Sequence, residues 1–180
     1  RLGLSTGDGA AEQTRPVLDS ALEEQLAALY DGYYKMHQAL VGDNAPEAAT
    51  AARGALESLT AVDMSLFDSA THDLWMKTAD ALRETLSEAV ETEDIEILRE
   101  RFHSASQQLI KLAETLGAVG SDAAYVMHCP MAFDNTGASW LQREQDLRNP
   151  YFGEMMLQCG SVEEVITGAN TENTGDLDDR

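Results

Sequence analysis

Leu22, Leu26, Leu29, Tyr33, Met36 and Leu40 recur at steps of three and four, the spacing that places side chains on one face of an α-helix. Asp19 or Ser20 stands where a cap would start this helix, and Gly42 where it would end. A second stripe, Ala48, Ala52, Ala55, Leu59 and Val62, follows a cap at Asp43 or Asn44, with Pro46 in the first turn. Its alanines make it narrow, so a neighbouring helix can approach closely. A third helix is predicted from about Thr71, with Leu74, Trp75, Thr78, Leu82, Leu86 and Ala89 or Val90 facing inward. Thr92 is the expected cap of a fourth, whose stripe runs Ile95, Leu98, Phe102, Ala105, Leu109, Leu112, Leu116 and stops at Gly117. Four amphipathic helices on short connections predict an all-α fold, an up-down-up-down four-helix bundle.

Beyond Gly120 the helical spacing is lost. Residues 120–160 hold both cysteines and four of the seven methionines, and they are expected to form an irregular Cys/Met/aromatic-rich wrap on the bundle. The domain reading is a linker at 1–16, a folded unit at 17–166 and a disordered acidic tail at 167–180.

With 12 Lys and Arg against 32 Asp and Glu, the formal net charge is −20. This balance excludes nucleic acid and anionic membrane surfaces as partners, because both require clustered positive charge. At 43% hydrophobic residues the chain is not wholly disordered, and no apolar run reaches the ~18 residues of a membrane span. A chain opening at Arg1 is expected to be processed or part of something longer.

The candidate chemistry is soft. His128, Cys129 and Met131 stand together in His-Cys-Pro-Met, and Met155, Met156 and Cys159 follow some thirty residues later. Thiolates, thioethers and imidazole are the donors that Cu(I) and Ag(I) prefer, whereas hard cations take oxygen. His72 and Met76, four apart on the third helix, either fill the helix surface or touch the later segment. Met36 fits the core stripe, Met64 reads as gap-filling packing, and His37 and His103 read as polar-face residues. Cys129 and Cys159 are equally readable as a disulfide, which would stabilise by roughly 3–4 kcal/mol in the chain-entropy model. Spacing alone does not separate a bridge from a ligand pair. Phosphate-binding glycine loops, CxxC and HExxH are missing from the sequence, and the adjacent His128 and Cys129 make a poor nucleophile pair, so an enzyme is not expected. Asn149 to Gly153 reads as a tight turn, Asp134 and Asn135 suit turn positions, and Trp140 with Leu141 is expected to seat the segment on the helices.

The stretch Tyr125-Val-Met-His-Cys-Pro-Met-Ala, then Asp134-Asn135, Trp140-Leu141, Arg148-Asn-Pro-Tyr-Phe-Gly153 and Met156-Leu-Gln-Cys-Gly160, resembles a known family, as do Tyr34, Val62-Asp-Met64 and His72-Asp-Leu-Trp-Met76 upstream. The resemblance is to a helical domain of unknown function found at the C-terminus of copper/silver-efflux membrane fusion proteins and in related exported proteins. It implies a periplasmic location and a part in Cu(I) or Ag(I) export. It also implies a ligand set of His128, Cys129, Met131, Met156 and Cys159 with His72 and Met76 contributing. The implied partners are efflux-pump components or a metallochaperone, without direct membrane insertion.

Overall fold

The computed structural model describes residues 15–168. Most of the expected linker and most of the expected acidic tail lie outside the described residues. Four long helices carry the chain: α1 (Ser20–Val41), α2 (Ala45–Ala61), α3 (Ser69–Val90) and α4 (Ile95–Leu116). Each starts on a side-chain cap. The carboxylates of Asp19, Asp68 and Asp94 and the amide oxygen of Asn44 accept from backbone N–H groups of the first turns of α1, α3, α4 and α2, donors that would otherwise have no partner. The cap expected at Thr92 is in fact Asp94; Thr92 instead accepts from the Asp94 amide at 3.1 Å. Gly117 closes α4 at φ 91°, a conformation that favours glycine.

The helices pack in sequence, α1 on α2, α2 on α3 and α3 on α4, with α4 returning to α1. The predicted stripes are the buried ones, from Leu22 through Leu40 in α1 and from Leu98 through Leu116 in α4. Among the described residues no helix is long and apolar enough to cross a membrane. The seam of α1 and α2 is closest at Gly32, where an added Cβ would lie 2.7 Å from the Ala55 Cα.

The all-α expectation is corrected after Gly120. The molecule is mostly helical, but the segment expected to be irregular builds a three-stranded antiparallel sheet in the order β2-β1-β3, from β1 (Ala123–Cys129), β2 (Ala138–Gln142) and β3 (Ser161–Thr167). Its strands are five to seven residues long. None of them alternates strictly between apolar and polar residues, so the loss of helical spacing looked like irregularity. Tyr125 pairs with Gln142 and Cys129 with Ala138, while His128 pairs with Ser161 across a bulge at Val126 and Met127. The β1–β2 connection reverses through a left-handed turn at Phe133, Asp134 and Asn135 (φ 51°, 55° and 65°). Phe133 is held in this costly conformation by ring contacts with His103 at 5.3 Å and Tyr151 at 5.2 Å.

The sheet is fixed to the helices by polar bonds inside apolar packing. Trp140 and Leu141 are fully buried, and β2 lies against α4. The Leu141 amide donates to the Tyr33 hydroxyl (3.0 Å), which must then donate to Ser106 Oγ (2.7 Å), because Ser106 gives its own proton to the Phe102 carbonyl (2.8 Å). Tyr33 also stacks on Phe102 at 4.7 Å between ring centres. At the far end of β2, Arg143 pairs with Asp31 and lies 4.5 Å over the Tyr34 ring. Thr167 accepts two bonds of 2.9 Å from Arg15 and, through its carbonyl, one of 3.0 Å from the Ala118 amide.

Two glycines predict opposite outcomes. Gly32→Ala should lower stability by about 1–2 kcal/mol, because overpacking against Ala55 outweighs a helix-propensity gain of about 1 kcal/mol. Gly54→Ala, with nothing within 4 Å of its would-be Cβ, should raise stability by roughly 0.5–1 kcal/mol. Urea midpoints of the two variants check both signs.

Candidate functional site

Cys129, the last residue of β1, is fully buried, and Cys159, in the turn before β3, is half-buried. No disulfide bond is drawn between them, and their Sγ atoms are in contact at 3.0 Å. One sulfur therefore lies in the core and the other at its edge. The contact with Cys129, with some loss of solvation, raises the pKa of the Cys159 thiol.

Cys159 reaches this position through buried amide side chains. Asn149 is fully buried; its amide donates to the Leu157 carbonyl, its Nδ2 to the Cys159 carbonyl, and its Oδ1 accepts from the Tyr151 amide, each at 2.8 Å. Gln142, also buried, accepts at Oε1 from Trp140 Nε1 (2.9 Å) and the Arg148 amide (2.8 Å), and donates from Nε2 to the carbonyls of Glu144 (3.1 Å) and Asp146 (2.9 Å). Every polar position of both amides except one Asn149 proton is thus named in a bond, the condition under which burying them is tolerable. Beside Cys159 a cleft of about 550 Å³ opens between Asp146, Leu147 and Arg148 on one side and Leu157 and Gln158 on the other.

The loop is tied to the helices at two further points. Arg99, buried on α4, donates from Nε to the Pro150 carbonyl (3.0 Å) and pairs with Asp43 (2.6 Å) and Glu96 (2.8 Å). Asp43 also accepts from the Glu154 amide at 3.2 Å, where Gly153 (φ 55°) leaves room that a side chain would fill. His37 was expected on a polar face, but it is 4% exposed, enclosed by α1 and the returning loop. Its Nε2 lies 2.8 Å from the Arg148 carbonyl, which can only accept, so Nε2 carries the proton. Burial lowers the pKa of this ring to about 4, leaving it neutral.

His128 neighbours Cys129 in a strand, and successive strand residues face opposite ways. Its Nδ1 bonds Ser139 Oγ at 2.9 Å and lies 3.9 Å from Glu163 on the other side of the sheet. Met131 is exposed, and Met156 is half-buried in the turn whose carbonyl accepts from the Cys159 amide at 3.1 Å. His72 and Met76 are on α3, which packs on α2 and α4, while the sheet lies on α4. Among the described residues no group of three or more His, Cys, Asp or Glu side chains could hold a metal ion. The residues that reasoning from sequence missed are Asn149, Gln142 and His37. Asn149-Pro150 carried only a turn signal, and nothing in the sequence marked a buried hub.

A family model for a protein of unknown function (DUF3347) matches residues 29–120. The chain belongs to that family. No curated protein and no solved structure matches. The DUF3347 match runs from within α1 to the end of α4 and stops before β1, so the sheet and the thiol pair lie outside the matched residues.

His37 predicts a pH dependence with a definite sign. Its folded-state pKa is depressed, so its neutral form contributes stability in full above the unfolded value near 6.5, and that contribution is lost as pH falls from there to about 4. The loss should reach about 3 kcal/mol. Urea unfolding of wild type and His37→Gln at pH 7 and pH 4.5 should show a smaller difference between the two pH values in the variant.

Proposed function

We propose that the chain is a periplasmic soft-metal-binding accessory domain of a copper or silver efflux membrane fusion protein, built on an up-down-up-down four-helix bundle. Cys129 and Cys159 would hold Cu(I) or Ag(I) as cargo. The observation that carries this reading is the 3.0 Å contact between two cysteine sulfurs from distant parts of the chain. Two sulfurs, with no third His, Cys, Asp or Glu grouped with them among the described residues, form a donor set for a soft monovalent ion and a poor one for zinc, calcium or magnesium. Cys159 at the edge would give the ion its entry, with Met156 the nearest thioether along the chain. Binding must displace the thiol protons, and the raised pKa of Cys159 makes uptake stronger as pH rises. The partners on this reading are efflux-pump components or a metallochaperone, and no catalytic step is involved.

The second reading is a structural or protein-interaction domain stapled by a Cys129–Cys159 disulfide. What favours it is that the contact between nominated donors is one of cysteine with cysteine. In an oxidising compartment two thiols in contact close readily when no metal holds them apart.

Counting thiols in the native protein, purified without reductant, separates the two. Metal binding predicts two reactive thiols, Cys159 faster than Cys129; the staple predicts none. Competition against a coloured Cu(I) chelator under reducing conditions should give a sub-micromolar dissociation constant, weakened at least tenfold in Cys159→Ser and in Cys129→Ser. A chelator signal that does not change on adding protein overturns the metal reading.

A further inference from the structure

We infer that the protein has a second soft-ion site, made of thioethers, in the cleft between the end of α2 and the middle of α3. The cleft holds about 90 Å³ and is lined by Met64, Trp75 and Met76, with Leu59 and Val62 from the end of α2. Its size decides the class of ligand. It exceeds the ~30 Å³ of a water molecule but falls far short of the ~300 Å³ where organic-ligand pockets begin. It is a volume for a single ion or a few water molecules, not for an organic ligand.

The donors decide which ion. A thioether is neutral, polarisable and a very weak partner for hard cations, so two of them select Cu(I) or Ag(I) over sodium, magnesium or zinc. Trp75, whose indole is the aromatic side chain that attracts a nearby cation most strongly, also lines the cleft. That ring is held rigidly: it is 1% exposed and stacks on Phe67 at 4.9 Å between centres. The only cationic side chain in the lining, Arg83, is neutralised at the rim by Asp80 at 2.8 Å.

Met64 is 48% exposed, so the cleft reaches solvent along its thioether side chain. It is also held in place. It opens the short 3-10 turn Met64–Leu66, whose cap Asp63 accepts from the Ser65 amide (2.9 Å) and hydroxyl (2.7 Å). The Asp63 amide in turn donates to Gln25 on α1 at 2.7 Å. A half-exposed thioether on a pinned turn, sharing a cleft with a second thioether and a fixed indole, is a preorganised entry to a soft site. His72, one turn before Met76 on α3, is half-buried and not part of this lining.

This site does not depend on the thiol reading, and its test separates the two. Ag(I) is titrated into the Cys129→Ala/Cys159→Ala protein carrying methyl-¹³C methionine, with tryptophan emission followed in parallel. The expected result is one equivalent bound, with the Met64 and Met76 methyl signals moving together and emission quenched. Met64→Leu and Met76→Leu, which conserve volume, should each weaken binding at least tenfold, and Met155→Leu should change it less than twofold. If the double alanine variant does not fold, the same methyl signals are read in the wild-type chain, where they localise the ion whatever the thiols do. Methyl signals of Met64 and Met76 that stay fixed, or that move no more than those of exposed Met131 and Met155, overturn the proposal.

Discussion

The buried bond from Asn149 Nδ2 to the Cys159 carbonyl is the constraint on which the sulfur pair depends. Cys129 is placed by a strand and would sit in the core regardless. Cys159 has no such support, and the turn that carries it follows a long excursion whose regular structure is one 3-10 turn, Gly153–Met155. What holds that excursion is a pair of primary amides, Asn149 and Gln142, which replace water for the backbone groups between residues 144 and 159. Losing either amide would leave several buried carbonyl and N–H groups unpaired at once, so the hub behaves as a unit.

A hub of this kind needs a rigid floor, and the helices provide it through α4. Phe102 receives Tyr33 from α1, Tyr151 from the loop and, through Ser106, the end of the bond chain that starts at Leu141. Arg99, one turn earlier, takes the Pro150 carbonyl. His37 completes the arrangement from α1 by donating to the Arg148 carbonyl, a bond that favours the charged ring; burial outweighs it and keeps the ring neutral. One face of one helix therefore decides both where the sheet lies and where the loop returns. The family match to residues 29–120 covers this platform and leaves out what the platform carries.

The two candidate soft sites differ in the chemistry they offer. Paired thiols gain by losing protons and bind in a pH-dependent way, but they are exposed to oxidation. Paired thioethers carry no proton to lose and bind more weakly, in a manner that neither pH nor a disulfide governs. Asp80 and the carboxylates spread over the surface, at a net charge of −20, raise the local concentration of any cation near both.

Sequence alone determined the four helices, because a period of 3.6 residues repeated over four or more turns leaves a stripe that survives any tertiary context: Leu22 to Leu40 and Ile95 to Leu116 were legible residue by residue. It also determined the soft character of the donors and the acidity of the surface, which are properties of composition. The sheet was not legible, since strands as short as Ala138–Gln142 carry too few alternations to stand out. The grouping of donors was decided only in three dimensions. Strand alternation sends His128 away from its neighbour Cys129, and the turn before α3 brings Met64 into one cleft with Met76, twelve residues on in the chain. Adjacency in a sequence fixes distance along the backbone, whereas the face a side chain occupies follows from pleat, helix phase and the hydrogen bonds that pin each turn.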